Sequence, residues 1–276
     1  MRVDLHMHTN ASDGQYSPAE LIELVRDFDV IAITDHDTTD GIEPAQQAAQ
    51  KYGAPKVIPG VELSAEDAEG DVHVLGYHID IHNPHFQDTL THFRKARFDR
   101  GRLMLEKLAE MGMPLDWDAL VASAGGAAIG RPHIARALLA AGYVESVKDA
   151  FDRFIGNEGP AYVARARLTP EQSVELIHRA GGVAVLAHPG LLKDYRAMLM
   201  RLVAVGLDGV EVSHPSNSEQ VRLDLRGIAV ASSLIMTGGS DFHGPKVKPD
   251  ITPGMISPPE GAVDALALAA KRYAAT

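Results

Sequence analysis

Short apolar runs alternate along the chain with stretches of helical periodicity, the rhythm of βα units rather than of a sandwich or a helix bundle. The runs predict seven strands: Val3 to His8, Val30 to Thr34, Lys56 to Leu63, Val72 to Tyr77, Val183 to His188, Gly209 to His214 and Leu234 to Gly238. Helix signals fall between several of them. Ser17 and Pro18 open one helix, while Thr169, Pro170 and Gln172 supply a cap, a first-turn proline and a capping-box partner for another that ends at Gly181–Gly182. An alanine-rich helix closes the chain.

The rhythm breaks between about Pro84 and Arg167, where the pattern reads as helices without a convincing strand. Residues 85–166 are therefore expected to form an inserted helical subdomain, with 1–84 and 167–276 forming the rest. Its first helix carries Phe86, Leu90, Phe93, Leu105 and Leu108 and stops at Gly112 and Pro114; Asp116 caps a short one, and others begin near Pro132 and Ser146.

Length and composition narrow this picture. A chain of 276 residues, 45% hydrophobic and 23% charged, suits one α/β barrel of about 250 residues with an insertion, not a disordered protein. Cysteine is absent, which excludes disulfides, thiolate metal sites and cysteine nucleophiles, so any metal must be held by nitrogen and oxygen. The net charge of −11 argues against broad nucleic-acid binding and leaves small or single-stranded phosphorylated substrates, provided arginines gather locally. No leader-like or membrane-spanning stretch follows Met1, so a cytoplasmic enzyme without a membrane partner is expected.

Candidate chemistry sits at the strand ends. His6 and His8, two apart on the first strand, project from one face, while Val3, Leu5 and Met7 project from the other. Alone, such a pair can be two polar residues on a solvent face. Here Asp13 follows the first strand, His36 follows the second, Glu62 ends the third, His73 lies in the fourth, His188 closes the fifth, and Asp241 and His243 follow the last. Six imidazoles and three carboxylates exceed what one ion needs, since a catalytic zinc uses about three protein ligands. Two or three divalent ions are implied, and mixed imidazole and carboxylate suits Mn²⁺, Zn²⁺ or Fe²⁺ better than Ca²⁺ or Mg²⁺.

These motifs, His6-x-His8, Asp13, Thr34-Asp35-His36, Glu62, His73, His188-Pro189 and Gly239-Ser240-Asp241-Phe242-His243, resemble those of the polymerase and histidinol phosphatase (PHP) superfamily. The resemblance implies a distorted, TIM-like (β/α)7 barrel with up to three metals at the C-terminal strand ends; Mn²⁺ is the expected ion, with Zn²⁺, Fe²⁺ or Mg²⁺ as alternatives. It implies that His6, His8, Glu62 and Asp241 hold one ion, that Glu62 bridges to a second held by His73 and His188, and that Asp13, His36 and His243 hold a third and border the substrate. Hydrolysis would use a hydroxide shared by the ions, with no covalent protein nucleophile.

Substrate recognition is expected from arginines. Arg94, Arg97 and Arg100, spaced by three, share a helix face that is either an anion grip or a solvated stripe partly neutralised by Asp99. Gly130-Arg131-Pro132-His133, at a helix start, also suits an anion. His214 should reach the rim, where it can touch phosphate, protonate a leaving oxygen or serve only structure. The insertion with these elements resembles the PHP branch of 3′,5′-nucleoside bisphosphate phosphatases and the 5′-to-3′ exoribonuclease AM. That branch implies removal of the 3′-phosphate from compounds such as 3′-phosphoadenosine 5′-phosphate, or exonuclease action on short 5′-phosphorylated RNA, with no stable protein partner. Alternatives are histidinol-phosphate phosphatase and a PHP module that binds metal without catalysis.

Overall fold

The computed structural model describes residues 1–67, 70–123, 130–163 and 168–273; the side chain of Arg97 lies outside the described residues. Two compact units emerge, Met1–Asp88 with Arg167–Thr276, and Thr89–Ala166.

The larger unit is built on β1 (Val3–Met7), β2 (Val30–Ile33), β3 (Lys56–Asp67), β4 (Gly70–Tyr77), β5 (Val183–Leu186), β6 (Gly209–Ser213) and β7 (Ile235–Gly238), hydrogen-bonded in chain order. Every residue of β1, β2, β5 and β6 is buried, and β2 and β5 are wholly apolar, as burial on both faces favours. Beyond β7 the chain returns to β1: the Asp241 N–H donates to His6 O at 2.8 Å and the His8 N–H donates to Phe242 O at 2.9 Å. These bonds nearly close a seven-stranded α/β barrel, as the sequence motifs imply.

One departure from a simple βα repeat bears on the site. β3 continues past the expected Leu63 to Asp67 and joins β4 as an antiparallel hairpin without an intervening helix; β4 is also antiparallel to β5. The rim reached by the ends of the other strands is therefore reached by the beginning of β4. His73, early in its strand and opposite Ser64, stands at that rim for this reason.

Helices α1 (Pro18–Leu24) and α2 (Ile42–Tyr52) follow β1 and β2. The next, α3 (Pro84–Glu110), runs from the larger unit into the smaller. Within the smaller unit α4 (Trp117–Ser123), α5 (Arg131–Ala140) and α6 (Val147–Ala150), the last continuing as a π-turn over Phe151–Ile155, enclose a core of Met104, Leu108, Leu120, Ile134, Leu138 and Ile155. Asp116 caps α4 by accepting from the Asp118 and Ala119 N–H groups. The larger unit resumes with α7 (Pro170–Arg179), α8 (Tyr195–Ala204), α9 (Glu219–Ala231) and α10 (Ala262–Ala270). No helix among the described residues is long and apolar enough to cross a membrane.

Thr169 and Gln172 form the reciprocal capping box of α7, with the Gln172 N–H donating to Thr169 Oγ1 at 3.2 Å and the Thr169 N–H to Gln172 Oε1 at 2.9 Å. Thr169→Ala is expected to cost about 1 kcal/mol, which lowers the melting temperature by about 2–4 °C in a domain of this size. Thermal denaturation measures it directly.

Candidate metal centre

Local packing forces the ligand-bearing loops into place. The turn after β1 is held by Asp35, whose carboxylate accepts from the Thr9 N–H, Thr9 Oγ1 and Ser12 Oγ, each at 2.7 Å; this fixes the loop carrying Asp13. After β7, Gly239 passes so close to β1 that a Cβ there would lie 2.5 Å from His6 N. Asp4, fully buried on β1, then takes the Ser240 N–H at 2.9 Å, Ser240 Oγ at 2.6 Å and the Gly254 N–H at 2.8 Å. Asp241 emerges from this clasp at φ 56°, a conformation disfavoured for a side-chain-bearing residue, and turns its carboxylate toward β1.

The structure brings all nine candidate ligands to one rim. His6 Nε2, His8 Nε2, Glu62 Oε2 and Asp241 Oδ1 form one group, with separations of 3.2 Å (His6–Glu62 and His8–Glu62), 3.4 Å (His8–Asp241) and 3.6 Å (His6–Asp241). Four ligands about 2.0–2.1 Å from a tetrahedral ion lie about 3.3 Å apart, so the spacing fits one. Glu62 divides its oxygens. Oε2 faces His6, His8 and His36, the last at 3.3 Å, while Oε1 is 2.8 Å from both His73 Nδ1 and His188 Nε2. A carboxylate so shared has the geometry of a bridge.

Asp13, His36 and His243 gather with His8 in another group: His243 Nε2 lies 3.2 Å from Asp13 Oδ1, and His36 Nε2 lies 3.9 Å from Asp13 Oδ2. His36 also groups with Glu62 and His73, so it stands between clusters rather than in one. His188 reaches the centre through Glu62 Oε1. Among the described residues, neither ring nitrogen of buried His8 has a hydrogen-bond partner, nor do His36 Nδ1 and His188 Nδ1. Buried imidazole nitrogens left without a partner are costly, and the donor set suits divalent transition-metal ions.

Proton balance gives the same reading. Burial works against charge on His6, but Glu211, Glu62 and Asp241 outweigh it and hold its pKa well above the usual histidine value; at His8 burial is likewise outweighed, by Asp241, Glu62 and Asp13, and its pKa rises to about 9. Burial beside cationic neighbours takes His36 down to about 3, while Glu62 and Asp241, despite burial, are held well below the carboxylate range by the surrounding imidazoles. In the metal-free protein, protons balance the carboxylates. An ion must displace them, so its apparent affinity is expected to rise with pH up to about 9, by about tenfold per unit for each proton released. Metal titrations at pH 6, 7 and 8 measure this slope; a flat profile would mean that protonated imidazoles are not displaced.

His214 ends beside the centre, but its Nδ1 accepts from the Ser216 N–H at 3.1 Å, which leaves the proton on Nε2, 3.3 Å from Asp241 Oδ2. It is oriented as a donor to that carboxylate. In the smaller unit Arg100 and Arg131 converge on the Tyr162 ring, 5.5 and 5.8 Å from its centroid; Arg100 Nε also donates to Val163 O and Arg131 to Asn157 Oδ1. His133 Nδ1 accepts from the Gly130 N–H at 3.1 Å, tying off the start of α5. Arg97, a candidate from the sequence, has its side chain outside the described residues.

Three residues that support the site were not found by sequence reasoning. Glu211 is fully buried on β6 and accepts a hydrogen bond from His6 Nδ1 at 2.9 Å, and Asp4 clasps the Ser240 turn. Both are lone carboxylates inside apolar strands, a signal that was available. Lys248, whose Nζ lies 2.5 Å from Asp241 Oδ2, sits in a loop without any such pattern.

Comparison with known proteins agrees with this geometry. The PHP domain family matches residues 4–157. A 5′-3′ exoribonuclease Rnm of Salmonella typhimurium is 37% identical over 88% of this chain and 85% of its own length. A 3′,5′-nucleoside bisphosphate phosphatase of Chromobacterium violaceum is 34% identical over 88% and 87%. A solved structure from Bifidobacterium adolescentis, assigned as a metal-dependent phosphoesterase, superposes with a TM-score of 0.82 at 35% identity, covering 97% of this chain and 96% of that one. With the motifs ordered along the barrel and the ligand atoms gathered at its rim, the chain belongs to the PHP family.

Proposed function

We propose that the protein is a phosphatase that removes the 3′-phosphate from 3′,5′-nucleoside bisphosphates such as 3′-phosphoadenosine 5′-phosphate, using two or three divalent ions, foremost Mn²⁺. The observation that carries the metal-dependent hydrolysis is Glu62, one buried carboxylate with two imidazoles on one oxygen and three on the other. Bound ions would lower the pKa of a water molecule and take up charge on the phosphoryl oxygens. His6, His8, Glu62 and Asp241 would hold one ion, His73 and His188 with Glu62 a second, and Asp13, His36 and His243 a third.

Around that centre the chain's own groups have distinct tasks. His214, whose Nδ1 accepts from the Ser216 N–H, faces Asp241 through Nε2 and would orient that carboxylate. Lys248 adds a positive charge beside Asp241. Arg100 and Arg131, joined by His133 and Arg97, would take the 5′-phosphate, the guanidiniums being braced by Tyr162. The names of the relatives support substrates of this class, and a short 5′-phosphorylated RNA would differ only in its leaving group.

Phosphate release from a panel of 3′,5′-bisphosphates, histidinol phosphate and p-nitrophenyl phosphate, with release of nucleotides from short 5′-phosphorylated RNA, tests the proposal with Mn²⁺ present. The bisphosphate is expected to have the highest kcat/KM among the monoesters. A preference for histidinol phosphate, or no hydrolysis of any ester, would overturn it.

A further inference from the structure

We propose that Glu211, which is not among the nine candidate ligands, is a positioning residue that holds two of them at once; the inference rests on His6 and His188 binding metal. Glu211 is fully buried in the middle of β6, and its two oxygens serve two different strands. Oε1 accepts from His6 Nδ1 on β1 at 2.9 Å. Oε2 accepts from the backbone N–H of His188, just after β5, at 2.8 Å.

Each contact has a consequence for a ligand. The first keeps a proton on Nδ1, so that Nε2, facing Glu62 and Asp241, is the nitrogen left for an ion, and it orients the ring. The second anchors His188 at φ 29°, ψ 58°, a backbone conformation that a histidine holds only when its surroundings dictate it. Held there, His188 Nε2 lies 2.8 Å from Glu62 Oε1, on the other side of the bridging carboxylate from His6. One buried carboxylate thus sets a ligand for each of two ions.

The two contacts require two acceptors and no donor. A carboxylate offers this, and a carboxamide does not, because a glutamine at this position would present an N–H₂ either to the His6 nitrogen or to the His188 N–H. His6, Glu211 and His214 also lie close enough to suggest an ion site of their own. Two facts oppose it. A bond from His6 Nδ1 would remove His6 Nε2 from the group with Glu62, and His214 Nδ1 is already occupied by the Ser216 N–H.

The test uses Zn²⁺ alone as probe, competed against a chelating dye, on the full-length wild-type protein and Glu211→Gln, with folding checked by circular dichroism. Glu211→Gln is expected to weaken the tightest Zn²⁺ binding by about 10- to 100-fold, and kcat measured with Mn²⁺ is expected to recover as Mn²⁺ is raised. Unchanged Zn²⁺ affinity, or a kcat that stays low at saturating Mn²⁺ with affinity intact, would overturn the inference and leave Glu211 a structural residue. Failure of the wild type itself to bind Zn²⁺ would instead bring down the metal reading, and this inference with it. Should the variant not fold, ¹⁵N NMR of the Zn²⁺-loaded wild type decides: His6 protonated at Nδ1 supports the inference, and His6 protonated at Nε2 contradicts it.

Discussion

Glu62→Gln is expected to lower kcat/KM by about three orders of magnitude or more, with the protein still folded. Glu62 is 1% exposed, and its oxygens face opposite ways, Oε2 to His6, His8 and His36, Oε1 to His73 and His188. Glutamine fills the same volume but replaces one oxygen by an N–H₂ group that cannot ligate an ion and points at imidazole lone pairs. Clustered ions contribute several kcal/mol of transition-state stabilisation; losing about 4 kcal/mol corresponds to a thousandfold in rate. The variant also removes the negative charge that five imidazoles share, so ion affinity and the placement of the remaining ligands suffer together. Steady-state kinetics with Mn²⁺, alongside circular dichroism, provide the check. A kcat/KM within tenfold of wild type would eliminate the bridging role.

Arg131→Ala and Arg100→Ala should each lower kcat/KM for a 3′,5′-bisphosphate by about 10- to 100-fold, the value of a charge-assisted phosphate contact of about 1.5–3 kcal/mol. The same changes should alter p-nitrophenyl phosphate hydrolysis much less, because that ester has no second phosphate to orient. Both guanidiniums brace the same Tyr162 ring, so the double variant is expected to lose less than the product of the single losses. Arg100 needs the control more than Arg131 does: it is 8% exposed and donates to Val163 O, so Arg100→Ala also removes packing. Equal losses on both substrates would assign the arginines to the fold, and no loss on either would exclude them from substrate binding.

The strands were legible because their apolar runs are short and bounded by glycine, proline and ligand-type residues. All seven appear where the runs lie, and the caps at Ser17, Asp116 and Thr169 act as their side-chain chemistry dictates. The antiparallel course of β4 was not legible. A parallel strand and an antiparallel one carry the same apolar run when both faces are buried, and only the short span over Asp67–Gly70 hints that no helix intervenes. Candidate ligands could be named from the motifs, yet the division of Glu62's two oxygens could not, since it depends on β1, β2, β4 and β5 converging on one atom pair.

Glu211 illustrates a different gap. Residues at strand ends, where loops display side chains, stand out in a sequence, whereas Glu211 lies inside β6 with its carboxylate turned toward two candidate ligands, His6 and His188. A buried acid without a visible partner in the sequence is a question about polar satisfaction, and its answer required the positions of His6 and His188.

The most direct measurement is anomalous X-ray diffraction at the manganese edge from crystals grown with saturating Mn²⁺. Two or three anomalous peaks are expected at the rim, one among His6, His8, Glu62 and Asp241, one shared by Glu62, His73 and His188, and a third beside Asp13, His36 and His243. Absence of any peak within bonding distance of Glu62, or a single peak elsewhere, would contradict the proposed multinuclear centre.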